Sequence, residues 1–218
     1  MYQTVVFSLL SIIFLAASVA DTLRISRPTI ADSLLPLKNS RPRPEGIIVD
    51  TIVLHFISNA KETPSDPYRV EDVLEIFKRY KLSSHYLVAR DGSIHRLVDD
   101  SRAAFHGGKG THALYPDRKN KINDYSIGIE ILAIGTREDT EGILTDNEYG
   151  RVDSSLIGYT DEQYRALQNL ISELSHRFPE IALDRSHIIG HEEYAPGRKG
   201  DPGELFDWDR TGLDPIED

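Results

Sequence analysis

Between Ile47 and Ile57 the chain reads IIVDTIVLHFI, eleven residues of which only Asp50, Thr51 and His55 are polar. Seven of the eleven are β-branched, a composition that favours an extended backbone with side chains packed on a pleated surface. A strand apolar on both faces belongs in the middle of a sheet, with further layers over each side. The rest of the chain supplies such layers. Val70, Val73, Leu74, Phe77 and Tyr80 fall at helical spacing and predict a helix over 69–81. His85 to Ala89 and Ser93 to Val98 are short strand-like runs joined across Arg90-Asp91-Gly92, and Asp-Gly in that setting signals a hairpin. Ser126 to Leu132 reads as a second buried strand. Thr160 with Gln163 forms a capping box ahead of a helix over 161–178, whose apolar face is Tyr164, Leu167, Leu170, Ile171, Leu174 and Phe178; Pro179 stops it. Strands alternating with helices predict an α/β fold, a mixed central β-sheet covered by helices.

With 218 residues and 39% hydrophobic content, the chain suits one domain that buries a core without covalent staples. Residues 21–45 hold Pro28, Pro36, Pro42 and Pro44 among Arg24, Arg27, Lys38, Arg41 and Arg43, and are expected to form an extended arm. The domain is expected over 46–210, followed by an acidic tail over 211–218. Residues 136–155 carry Glu138, Asp139, Glu141, Asp146, Glu148 and Asp153 against Arg137 and Arg151, which reads as a solvated acidic insertion after a strand, with a lid or a calcium-binding loop as the alternatives. At the start, Val5 to Ala17 is apolar but shorter than the roughly 20 residues a membrane span needs, and Ala17-Ser18-Val19-Ala20 offers small residues for cleavage. Residues 1–20 therefore read as a secretory signal peptide, although Met1 to Thr4 lack a basic residue. Its removal leaves no stable membrane anchor and a secreted or periplasmic protein, bacterial in character because it is exported without cysteines.

Twenty-five Lys plus Arg against 35 Asp plus Glu give a net charge of −10, which excludes the basic footprint of a nucleic-acid binder. The absence of cysteine excludes disulfides, thiolate catalysis and Cys-ligated zinc together. Among eight histidines, His95, His112, His176 and His187 have no supporting context. His55 and His191 differ because each ends an apolar strand-like run, where open α/β sheets present groups to a cleft. Asp201 follows ten residues after His191. Two imidazoles and one carboxylate leave the fourth corner of a tetrahedral metal open, as catalytic sites do.

Five separated runs carry a resemblance: Thr51 to His55 (TIVLH), Ser83 to Val88 (SSHYLV), Ala104 to Gly108 (AFHGG), Asn123 to Glu130 (NDYSIGIE) and Gly190 to Gly203 (GHEEYAPGRKGDPG). In order and spacing they resemble the zinc-dependent N-acetylmuramoyl-L-alanine amidases of the amidase-2 type, whose fold is shared by peptidoglycan recognition proteins and T7-lysozyme-like amidases. The resemblance covers roughly residues 46–210. It implies one Zn²⁺ per chain held by His55, His191 and Asp201. It also implies that Glu130 orients or deprotonates the attacking water, and that Lys199 stabilises the tetrahedral oxyanion. The implied reaction is hydrolysis of the amide between N-acetylmuramic acid and L-alanine in peptidoglycan or soluble muropeptides, by a monomer. His85, His106 and Lys121 are candidate substrate contacts, with a supporting or core role open for the two histidines. The sequence departs from many relatives at Phe56, Leu132, Lys81 and Lys121, which puts substrate preference in doubt rather than cleavage. A non-catalytic peptidoglycan binder of the same fold is the alternative, and a metallohydrolase acting on another amide is a further one.

Overall fold

The computed structural model describes residues 28–215; the signal-peptide segment lies outside them. The run that opened the sequence reading forms β3 (Thr51–Ile57), which lies between two parallel neighbours, β7 (Ser126–Leu132) and β8 (Ile188–Gly190). The sheet continues from β7 through β4 (Tyr86–Val88) and β5 (Ile94–Arg96) to β1 (Ile30–Asp32), giving the order β1-β5-β4-β7-β3-β8. β4 and β5 pair antiparallel across the predicted Asp-Gly turn, so the sheet is mixed. A separate two-stranded ribbon pairs β2 (Ser40–Pro42) with β6 (Arg102–Ala104).

The helices are α1 (Val70–Tyr80), α2 (Ile122–Tyr125), α3 (Asp146–Tyr149), α4 (Asp161–Arg177) and α5 (His191–Tyr194). α4 forms where the capping box predicts it. Gln163 N–H donates to Thr160 Oγ1 at 3.1 Å, and Thr160 N–H donates to Gln163 Oε1 at 2.9 Å. Its apolar stripe, Tyr164, Leu167, Leu170, Ile171 and Leu174, packs on Ile52, Leu54, Ile127, Ile129 and Ile131, one face of the two central strands. Burying each such side chain is worth about 1.5–3 kcal/mol. On the opposite face α1 sets Val73 and Phe77 against Leu87, Leu97 and Leu132. Leu132 is thus a core residue beneath α1. The alternate residues of β7, Ser126, Gly128 and Glu130, face the side away from α4.

Residues 30–45, expected as an arm ahead of the domain, are built into it. β1 pairs with the sheet edge, and Asn39, fully buried, donates from Nδ2 to the carbonyls of Phe77 and Leu82 at 2.9 and 2.8 Å. Arg43 donates to the carbonyls of Asp100, Asn123, Asp124 and Ser126 at 2.6–3.2 Å. Replacing Arg43 with alanine leaves several part-buried carbonyls without donors, each costing about 1–3 kcal/mol. Arg43→Ala is therefore expected to lower unfolding stability by about 3 kcal/mol in urea titration; a loss below about 1 kcal/mol would show the arm to be peripheral. The C-terminal boundary also shifts: Leu213 packs on the main core and Asp214 bridges to Asp184, so this part of the expected tail belongs to the domain.

Candidate active site

Register builds the site. On the paired strands β3 and β7, His55 stands directly beside Glu130. Leu54 pairs with Gly190, so His191, the next residue on β8's side, falls level with His55. Three parallel strands thus deliver two imidazoles and a carboxylate to one level near their carboxyl ends, where such sheets open a cleft. Asp201 arrives from the loop after α5, which is pinned by Glu192 N–H donating to the Asp201 carbonyl at 2.9 Å.

The three predicted ligands converge. Asp201 Oδ2 lies 2.8 Å from His55 Nδ1 and 2.9 Å from His191 Nδ1, and the two Nδ1 atoms are 3.0 Å apart. All three residues are buried, and they form a group able to hold a metal ion. The far sides of the rings fix which atoms carry protons. His191 Nε2 faces the carbonyl of Gly107 at 2.8 Å, so it carries hydrogen and donates. Ser126 Oγ–H donates to the Ile122 carbonyl at 2.7 Å and faces His106 Nε2 at 3.2 Å, so His106 Nε2–H donates to the serine oxygen. His106 Nδ1 is then an acceptor, and His55 Nε2–H donates to it at 3.0 Å. Both Nδ1 atoms consequently turn lone pairs toward the ionised carboxylate. Three lone pairs within 3.0 Å repel one another unless a cation sits among them. The donor set fits a divalent metal.

Burial, reinforced by the neighbouring His191, lowers His55 to about 4, so its ring is neutral and available as a ligand. Burial alone would raise Asp201, but the two imidazoles outweigh it and hold the carboxyl well below its usual range. Glu130 is pushed the other way: burial first, then the Asp201 charge, raise it well above the ordinary glutamate value, while Lys199 opposes the shift. Its Oε2 is buried and has no hydrogen-bond partner. The cleft in front of these groups measures about 380 Å³. Its lining combines polar groups, among them Glu130, Lys61, Arg198 and Lys199, with apolar ones, among them Phe56, Leu82, Phe105, Ile143 and Leu144.

His106 lines the cleft and also backs His55. Phe56 lines it too. His85 does not: it is fully buried, accepts from Gly128 N–H at 2.9 Å and donates from Nε2 to the Arg102 carbonyl at 3.0 Å. Burial lowers it to about 3, and its position makes it a core group rather than a substrate contact. Lys121 is exposed at the start of α2 and does not line the cleft. Lys81 caps α1 in the left-handed conformation, φ 54°. Sequence reasoning missed Arg198, which donates to the Gly107 carbonyl at 2.8 Å alongside His191. It also missed Thr140, Ile143 and Leu144, which turn the acidic insertion into a wall of the cleft. The apolar Ile143 and Leu144 within a charged segment were the available signal.

Replacing His106 with phenylalanine keeps a ring but removes the acceptor that orients His55. Metal affinity is expected to fall about 10–100-fold in chelator competition; an unchanged affinity would reduce His106 to a space-filling role.

The profile described as N-acetylmuramoyl-L-alanine amidase matches residues 42–204, most of the described chain and every residue of the site. The chain belongs to the N-acetylmuramoyl-L-alanine amidase family. The amidase is 32% identical over 188 residues to the 1,6-anhydro-N-acetylmuramyl-L-alanine amidase AmpD of Haemophilus influenzae, covering 80% of this chain and 86% of that protein. To the Escherichia coli protein of the same name it is 35% identical over 130 residues, 60% of this chain and 56% of that one. A crystal structure of a selenomethionine AmpD derivative superposes with a TM-score of 0.63 at 26% identity, covering 86% of this chain and 93% of that one. AmpDh3 of Pseudomonas aeruginosa, solved in complex with an anhydromuramic pentapeptide, superposes at 0.56 and 26% identity, covering 78% and 62%. The amidase therefore has a mixed sheet with helices of the kind found in AmpD, and the family's reaction, hydrolysis between the N-acetylmuramoyl group and L-alanine, is its reaction.

Proposed function

We propose that this amidase uses one zinc ion, held by His55, His191 and Asp201, to release stem peptides from soluble 1,6-anhydro-muropeptides in a secreted or periplasmic setting. The observation that carries the reading is the triangle of lone pairs beside an unpartnered buried glutamate oxygen. When bound, zinc brings the pKa of a water from about 15.7 to about 7 and polarises the scissile carbonyl. Glu130 takes the proton from the attacking water and returns it to the leaving L-alanine nitrogen. Its raised proton affinity suits both transfers near neutral pH. Lys199, which lines the cleft and whose charge bears on both His55 and Glu130, supplies the cation that stabilises the negative charge developing on the former carbonyl oxygen.

Three facts support the substrate and place. The Haemophilus relative is named for the anhydro substrate, and the Pseudomonas relative was solved with an anhydromuramic peptide. A net charge of −10 gives no general attraction to an anionic wall. Residues 1–20 read as a signal sequence, and among the described residues no helix is long and apolar enough to cross a membrane.

The test is mass spectrometry of purified sacculi and of a 1,6-anhydro-muropeptide, each incubated with the protein. Free stem peptide from the soluble substrate, at least about tenfold faster than from sacculi, is expected. Faster release from sacculi would reverse the substrate assignment, and binding without release would move the chain to recognition.

A further inference from the structure

We propose that Asp139 is a positioning residue that locks the acidic insertion to the loop bearing Lys199 and Asp201, so that cleft wall and metal loop order together. The inference rests on the metal reading above and deepens it. Asp139 stands where the chain has left β7 and begins the insertion, half-buried rather than solvated like its neighbours Glu138 and Glu141. Its Oδ2 accepts from Thr136 N–H at 2.9 Å within its own turn and from Glu204 N–H at 3.2 Å across the gap. Its own N–H donates to Thr136 Oγ1 at 3.2 Å, which holds the turn shut.

The facing loop is shaped to receive it. A Cβ on Gly200 would lie 2.8 Å from the Asp139 Cα and carbonyl oxygen, and one on Gly203 would lie 2.5 Å from its Oδ2. Gly203 also has φ +82°, which a side chain would strain. These glycines flank Asp201 and follow Lys199, so the contact bears on the two groups that most need fixed positions. A second tie runs parallel to it: Tyr159 O–H donates to the Pro202 carbonyl at 2.6 Å.

On its other side Asp139 leads directly into the wall. Thr140 is buried, and its hydroxyl donates to the Thr136 carbonyl at 3.0 Å. Thr140, Ile143 and Leu144 then face the cleft. Behind them Leu144, Tyr149 and Val152 of the insertion pack with Ala60, Tyr68, Ile134, Leu156 and Ile157, so one cluster joins the insertion to the loop after β3 and to the end of β7. One carboxylate accepting from both loops makes the position of the wall depend on that of the loop bearing Asp201. The insertion is thereby a part of substrate selection, with its position set by the metal loop.

Hydrogen exchange on the full chain, with and without added zinc, tests this without a variant. Zinc is expected to slow exchange at 199–204, at β3 carrying His55, at the start of α5 carrying His191, and also at 136–144. Protection of the first three with no change at 136–144 overturns the coupling while leaving the metal site intact. No protection anywhere overturns the metal reading instead. Two variants give a second readout. Asp139→Ala is expected to raise KM and weaken zinc retention, each by about tenfold, with kcat changed much less. Asp139→Asn keeps an oxygen acceptor and should restore both. Loss of thermal stability in Asp139→Ala with KM and zinc retention unchanged would make the residue merely structural.

Discussion

Asp201→Ala loses metal and activity together. The substitution removes the one negative charge among the three ligating atoms and leaves two neutral imidazoles, His55 and His191, whose lone pairs no longer have a carboxylate to balance a divalent cation. Loss of an outer partner of a metal ligand already costs about 10–100-fold in affinity; loss of a ligand is expected to cost at least about 100-fold. The ion's charge stabilisation in the transition state is several kcal/mol, so the rate falls at least about 10³-fold. Metal content by atomic emission and stem-peptide release by mass spectrometry check both halves. Bound zinc with full activity would remove Asp201 from the site.

Glu130→Gln separates catalysis from metal binding. The amide has the shape of the carboxyl group, and Glu130 Oε2 has no partner to lose. Zinc content is therefore expected to stay at one per chain. Proton transfer is lost, and positioned general acid–base groups contribute about 10²–10⁴-fold, which should appear in kcat rather than KM. Burying an ionised carboxylate without a full set of partners is costly, so the thermal midpoint of the variant is expected to equal or exceed that of the parent. An unchanged kcat would end the role assigned to Glu130.

Much of this was legible because the signals are local. The Thr160–Gln163 capping box and the stripe from Tyr164 to Leu174 lie within one helix, and α4 forms over Asp161–Arg177. His55 and His191 each close an apolar run, which placed them at the sheet's end before any strand order was known. What sequence reasoning could not supply was long-range closure. Arg43 finds its carbonyl partners 57 to 83 residues away, and no local pattern marks an arginine among prolines as structural. Pro42 is tolerated in β2 because that strand belongs to a two-stranded ribbon. His85 sits in a run shared with the family and Lys121 lies two residues ahead of another, yet one is fully buried and the other is exposed. Chain proximity to a motif does not fix which way a side chain faces. The insertion misled for a related reason: its charges outnumber Thr140, Ile143 and Leu144, which line the cleft.

The central claim, that the His55–His191–Asp201 triangle is a catalytic metal site, is tested most directly by titrating chelator-stripped protein with zinc while following stem-peptide release. Activity is expected to be absent at the start, to rise in proportion to added zinc, and to level off at one ion per chain. Full release by the stripped protein, before any zinc is added, would contradict it.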